Sequence, residues 1–290
     1  MSKQIPFRYD FVGSFLRPAN LKAAREGFEN GKISAYELKA VEDKEIERLI
    51  NKQKELGYHV ITDGEFRRAT WHLDFMWGFD GVAHEKTKTG LPFHGEDAMI
   101  DDTYLCGKVG LSKVHPFVEH FKFVKQFEDE NTVAKQTIPA PAQFIEQMIM
   151  PFALENTSKY YDSTHKLAED IANGYKKVIA DLYDAGCRNL QLDECSWGML
   201  VDPRAEELFG TDKKGLKDIQ KLLVEINNLA IEDKPSDMTI TTHVCRGNFH
   251  STYASAGAYD SVAEVLFEKE NVDAYYLDRK STRLNSSHQI

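Results

Sequence analysis

The chain has 290 residues, 46 acidic and 36 basic side chains, a net charge of −10 and 42% hydrophobic residues. The acidic balance argues against a nucleic-acid binder, whose affinity rests on phosphate neutralisation by Lys and Arg. No apolar run approaches the roughly 18 residues of a membrane span, and the start, MSKQIPFRYD, has no basic-then-apolar signal segment. Four cysteines, at 106, 187, 195 and 245, are too few and too scattered for a disulfide scaffold, so the composition points to a soluble, cytoplasmic globular protein of one large domain or two small ones, with reduced thiols.

Short β-like runs alternate with long helical patterns, which predicts an α/β protein with parallel strands. Tyr9 to Gly13 reads as the first strand, ending at Ser14, and a helical stretch follows near Asn20 to Asn30. Ser34 with Glu37 three residues on reads as the capped start of a second helix, with Leu38, Val41, Ile46 and Leu49 on one face and Gly57 at its end. Tyr58 to Thr62 is the next strand, entering the turn Asp63-Gly64-Glu65. Residues 78–113, rich in Gly, Asp and Lys, read as a long irregular excursion with Thr103 to Val109 extended. A helical pattern returns at His115 to Phe127, then a third core strand at Thr132 to Ile138, ending at Pro139-Ala140-Pro141. The helix Ser163 to Ala185 precedes a fourth strand, Asn189 to Leu192, which leads into Asp193-Glu194. Helices near 204–209 and 214–231 come before a fifth strand, Met238 to Thr242, which leads into His243-Val244-Cys245. A helix near Ser261 to Lys269 and a sixth strand, Asp273 to Leu277, complete the pattern.

Val12-Gly13-Ser14 has a single glycine, so no Gly-rich phosphate fingerprint follows the first strand and a doubly wound nucleotide-binding fold is disfavoured. The spacing fits a (β/α)8 barrel, in which chemistry gathers at the C-terminal ends of the strands. Those ends carry Ser14, Glu65, Asp193, His243 and Cys245. His243 and Cys245 stand at i and i+2, on one face of an extended chain, and imidazole with thiolate suits zinc. The competing interpretation is a buried Cys beside a capping His. Asp193, at the end of an apolar strand, suits binding an amino group or acid–base work, and equally suits a cap or an ion pair. Glu65 either holds a ligand ammonium or pairs with Arg67 or Arg68, and Val12 to Ser14 either offers backbone to a ligand or makes an ordinary turn. His250, Trp71, His72 and Trp197 read as packing or rim, Cys195 as a buried thiol near the Asp193 cavity, and Cys106 and Cys187 as structural.

Val12-Gly13-Ser14, Asp63-Gly64-Glu65, Leu192-Asp193-Glu194 and His243-Val244-Cys245 occur in the order found in cobalamin-independent methionine synthase. Over about Phe11 to Leu277 the sequence resembles the C-terminal catalytic barrel of that family, and especially its short single-barrel relatives. The resemblance implies a zinc-dependent methyltransferase that binds the thiol of homocysteine, lowers its pKa and transfers a methyl group to it from a folate, giving methionine. It implies His243 and Cys245 as zinc ligands, Glu65 and Asp193 as the functional carboxylates, and Val12, Gly13 and Ser14 with those carboxylates as the grip on the amino-acid end of homocysteine. No tryptophan stands near Pro139 to Ile145 for the folate ring, and Met199 occupies the place of a second carboxylate. The methyl donor is therefore open between a simple folate, a corrinoid protein and another carrier. Alkyl transfer to another thiol, a non-catalytic small-molecule or metal-binding barrel, and a metal-free decarboxylase-like barrel are the alternatives.

After the sixth strand the resemblance implies a Glu ligand and, farther on, a last Cys ligand. Asp278 stands in the Glu position, and Asp278 to His288 resembles the translation of a common sequencing adapter. The expectation is a catalytic barrel over 1–277, incomplete after about six core strands, with a non-native tail over 278–290, so that the chain as written is poorly folded and inactive and binds zinc weakly.

Overall fold

Residues 10–87, 91–93, 96–249 and 252–278 are described by a computed structural model. Helix α1 (Ala19–Glu29) is followed by α2 (Ala35–Glu55). The α2 start is the capping box expected from Ser34 and Glu37: the Glu37 N–H donates to Ser34 Oγ at 3.3 Å and the Ser34 N–H donates to Glu37 Oε2 at 2.7 Å. Ile46 and Ile50 of this helix are fully buried. Strand β1 (Val60–Ile61) leads to the short helix α3 (Leu73–Met76).

Strands occupy much of the described part of 78–113, where an irregular excursion was expected, and the extended piece expected at Thr103 to Val109 lies within β5. Strands β2 (Asp80–Glu85) and β5 (Asp102–Gly110) pair antiparallel, with β3 (Leu91–Phe93) and β4 (Glu96–Ala98) as a hairpin between them. Gly81, at a register shift and with φ +80°, permits this: a Cβ there would run into the Lys108 carbonyl. Helix α4 (Pro116–Lys125) then leads to β6 (Val133–Ala134) and β7 (Gln136–Pro139).

The expected strand Thr132 to Ile138 is thus two pieces. β6 pairs parallel with β1, β7 pairs parallel with β8 (Asn189–Glu194), and Lys135 alone stands where the partner changes. Between them come α5 (Pro141–Ile149), α6 (Pro151–Thr157) and the long α7 (Thr164–Asp184). After β8 follow α8 (Ser196–Leu200), α9 (Ala205–Leu208), α10 (Lys213–Ile231), β9 (Thr239–Val244), α11 (Ala263–Lys269) and β10 (Ala274–Leu277). The main sheet is parallel in the order β10-β9-β8-β7. Every residue of β8 is buried, as in a parallel sheet covered on both faces. Leu190, Leu192 and Ile240 join the core with Ile171, Val178 and Leu182 of α7 and Leu223 and Ile226 of α10.

The expected first strand does not form among residues 10–13, and Tyr9 lies outside the described residues. The carbonyls a ladder would use are taken by side chains: Lys135 Nζ donates to Phe11 O at 2.8 Å and Gln191 Nε2 donates to Val12 O at 2.7 Å. The architecture is a mixed α/β fold whose described strands form a four-stranded parallel sheet, a separate parallel pair and two antiparallel pairs, so the strand pairing does not by itself establish a closed eight-stranded barrel. Among the described residues no helix is long and apolar enough to cross a membrane.

Candidate functional site

Parallel register puts Asp193, His243 and Tyr276 side by side on β8, β9 and β10. Lateral neighbours in a sheet point to the same face, so the two predicted site residues and Tyr276 form one row. Gln191, two residues before Asp193, shares that face. Its Nε2 donates to Asp193 Oδ1 as well as to the Val12 carbonyl, which ties the segment carrying Gly13 and Ser14 to the sheet. Gly13 and Ser14 are exposed, with open space where a Cβ on Gly13 would stand. Behind them, Asp10 is buried and accepts from Lys135 Nζ at 2.8 Å and from the Tyr276 hydroxyl at 2.9 Å.

Glu65 follows β1 in a left-handed backbone (φ 60°), unusual for a residue with a side chain. The turn is held on every side. Gln53 pairs with both backbone groups of Thr62, and Asp63 Oδ1 accepts the Glu65 N–H at 2.8 Å. Gly64 O accepts the Phe15 N–H at 3.1 Å and Glu65 O accepts from Arg17 Nη2 at 2.9 Å. The Glu65 carboxylate accepts from the Thr137 hydroxyl at 3.1 Å and lies 3.5 Å from Arg68 Nη1. Arg68 is itself buried against β7, donating to Thr137 Oγ1 at 2.8 Å. Such backbone strain, fixed by this many bonds, aims one carboxylate into the row formed by β7 and β8.

Burial pushes the Asp193 carboxyl up to about 7, with Glu65 adding to the rise and His243 opposing it. His243 Nδ1 stands 2.8 Å from the Tyr276 carbonyl, which makes Nδ1 the N–H donor and leaves Nε2 for Cys245. Burial alone would lower the imidazole, but the hydrogen bond to Cys245 and the charge of Asp193 hold it at about 9. Cys245, one residue past β9, donates its N–H to Glu194 O at 2.8 Å, and its sulfur accepts the Gly247 N–H at 3.3 Å. The hydrogen bond from Cys195 holds the Cys245 thiol well below its ordinary range against the opposing effect of burial, and His243 adds to the lowering.

The structure therefore brings Val12, Glu65, Asp193, His243 and Cys245 to one end of the sheet. Gln191, Thr137 and Arg17 were not singled out as site residues, although Gln191 was accessible by strand alternation from Asp193. Arg68 is the one of the two arginines offered by the sequence that lies against the Glu65 carboxylate. Trp197 is fully buried, and His72 is buried against Trp71, its imidazole pushed down to about 3. Cys187 is buried and pushed up to about 12, whereas Cys106, expected to be structural, is exposed on β5. His250 lies outside the described residues.

His243 Nε2 and the Cys245 sulfur have the donor chemistry of a zinc site. They are two donors of a set: among the described residues no three His, Cys, Asp or Glu side chains form a group that could hold a metal ion. Cys195, although hydrogen-bonded to Cys245, does not complete one.

A family model described as the cobalamin-independent synthase catalytic domain matches residues 9–89, which contain the Val12 to Ser14 and Glu65 segments. Over 97% of this chain and 72% of its own length, the Bacillus subtilis protein YxjH, described as uncharacterized, is 38% identical. A 5-methyltetrahydropteroyltriglutamate–homocysteine methyltransferase of Corynebacterium glutamicum is 25% identical over 86% of this chain and 31% of its own length. The structure of a candidate vitamin-B12-independent methionine synthase from Listeria monocytogenes superimposes with a TM-score of 0.71 at 38% identity, covering 93% of this chain and 72% of that one. A B12-independent methionine synthase from Shewanella sp. W3-18-1, solved with selenomethionine, shares the fold at 20% identity and a TM-score of 0.60, over 84% of this chain and 65% of that one. Sequence, fold and the order of the strand-end residues agree, and the chain belongs to the cobalamin-independent methionine synthase catalytic-domain family.

Proposed function

We propose that this chain is a methyltransferase domain of the (β/α)8 type that methylates the thiol of homocysteine to give methionine. The observation that carries the proposal is the row Asp193–His243, with Cys245 one step beyond and Glu65 aimed at the same face. Two carboxylates suit a ligand ammonium, and the backbone of Val12, Gly13 and Ser14 suits its carboxylate. The selenomethionine complex of the Shewanella relative supports a ligand of methionine's shape. The sequential parallel order of β7 to β10 supports the barrel.

In this proposal Asp193 and Glu65 grip the substrate ammonium. Gln191 holds Asp193, while Arg68 and Thr137 hold Glu65. Asp193, with its carboxyl near 7 before binding, releases its proton as the ammonium arrives and becomes the charged partner. His243 through Nε2, and Cys245, would hold zinc. When bound, that ion supplies a Lewis acid that keeps a thiol deprotonated at neutral pH. The Tyr276 carbonyl fixes the His243 ring so that Nε2 faces the ligand side. A methyl-folate or another methyl carrier is the donor, and the protein acts in the cytoplasm.

Metal analysis and calorimetry test this proposal. Weak zinc binding through His243 and Cys245 is expected, lost in Cys245→Ser. Asp193→Asn is expected to weaken L-homocysteine binding by roughly 10- to 100-fold, the value of a charged hydrogen bond, and to leave binding of the analogue without the amino group unchanged. Zinc-free protein with equal affinity for both ligands in wild type and Asp193→Asn would refute it.

A further inference from the structure

We propose that Cys195 and Cys245 are a disulfide-forming pair, closed by a peroxide and opened by a thiol reductant. The inference stands on geometry and does not depend on the methyltransferase proposal. Glu194 and Val244 are register partners on neighbouring parallel strands, and Cys195 and Cys245 are the next residue of each. The strands are still paired there, because the Cys245 N–H donates to Glu194 O at 2.8 Å. A spacing of about 4.8 Å between paired strands lies inside the window of about 4.4–6.8 Å that a disulfide requires between Cα atoms.

The two thiols are near neighbours, each the largest influence on the other's ionisation. Both are free and retain some solvent exposure, unlike Cys187. Their backbones are pinned. The Cys195 N–H donates to Gln143 Oε1 at 2.8 Å, and Gly198 lets the first turn of α8 lie against the Cys245 carbonyl, where a Cβ would collide. No other cysteine competes. Cys187 is buried before β8 and Cys195 follows it, so the strand, about 20 Å long at ~3.3 Å per residue, separates them, and Cys106 lies on β5 in a different sheet.

The chemistry balances with hydrogen peroxide as the oxidant. One thiolate attacks a peroxide oxygen, the O–O bond breaks, and the departing hydroxide takes up a proton as water. The sulfenic acid so formed is attacked by the second sulfur. The S–O bond breaks, a second water leaves, and the S–S bond forms. Each sulfur gives up one electron, and the peroxide takes two. The bond would withdraw Cys245 from any metal.

The 290-residue chain, freed of metal by a chelator, is treated with one equivalent of hydrogen peroxide. Thiols are then counted under denaturing conditions and tryptic peptides mapped without reduction. Two of the four thiols are expected to disappear, with a peptide joining Cys195 to Cys245, and both are expected to return with dithiothreitol. Cys106→Ser should leave the linkage intact, and Cys195→Ser should abolish it. The wild-type peptide map decides the matter even if Cys195→Ser fails to fold. Sulfinic acid at Cys245 without a cross-link, a linkage through Cys106, or four unchanged thiols would overturn the proposal. Reduced protein that forms the link but binds no zinc would leave the pair established and refute the zinc proposal alone.

Discussion

Glu146 shows how much a single buried group can govern. It is almost fully buried on α5, where its carboxylate accepts from Gln143 Nε2 at 2.6 Å and Ser196 Oγ at 3.4 Å, and burial raises it to about 7. A carboxyl whose folded pKa exceeds its unfolded value takes up a proton on folding. Its contribution is therefore complete below the unfolded pKa and is lost as pH rises through about 7. Glu146→Gln keeps the hydrogen-bonding shape without the charge. Relative to wild type, the variant should gain stability with rising pH, approaching about 3 kcal/mol above pH 8. Urea denaturation at pH 5 and pH 8 measures this, and a difference independent of pH would count against it. That Asp193, Glu65, His243 and Cys245 gather at one end of the sheet was legible because each follows or ends a parallel strand and because i and i+2 share a face. Glu146 was not legible, because an acid inside an amphipathic helix announces nothing about what lies over it.

At the scale of elements, the Ser34–Glu37 box was readable from four residues, and it is a self-contained local device. Ser34→Ala should cost about 1 kcal/mol in chemical denaturation, with binding at the distant site unchanged. Gly174 in α7 was silent in the sequence. A Cβ there would run into the Phe79 ring, so Gly174→Ala should destabilise by about 1–3 kcal/mol through overpacking, despite a gain of about 1 kcal/mol in helix propensity. A stabilised variant in the same denaturation experiment would show that Phe79 yields. The short helices α5 and α6 went unread because Pro141 and Pro151 look like stops. Each instead occupies the first helical turn, where the missing N–H costs nothing. The pairing of β2 with β5 went unread for the opposite reason: it is non-local, and Gly81 looks like any loop glycine until Lys108 lies across it.

Across the whole molecule, alternation of strand and helix made the parallel α/β class legible, and register then set Asp193 beside His243. What composition could not reveal is that the N-terminal segment docks by side-chain bonds instead of a ladder. Asp10 and Lys135 form an ion pair whose side chains are fully buried. Lys135→Met leaves Asp10 uncompensated and should cost about 3–5 kcal/mol. Adding Asp10→Asn should restore most of that loss, and hydrogen exchange over residues 10–16 should rise in the single variant and fall back in the double. Equal stabilities for the two variants would mean that the pair contributes little. The same cluster sets a timetable for synthesis. Asp10 is held by a hydroxyl on Tyr276, 266 positions later in the chain. At about 5–20 residues per second, a ribosome delivers that partner roughly 15–50 s after the aspartate. Until then the lip carrying Gly13 and Ser14 lacks part of its mooring, so the nascent chain should stay open to proteases at its leading end and unable to bind ligand until nearly all of the described fold has emerged.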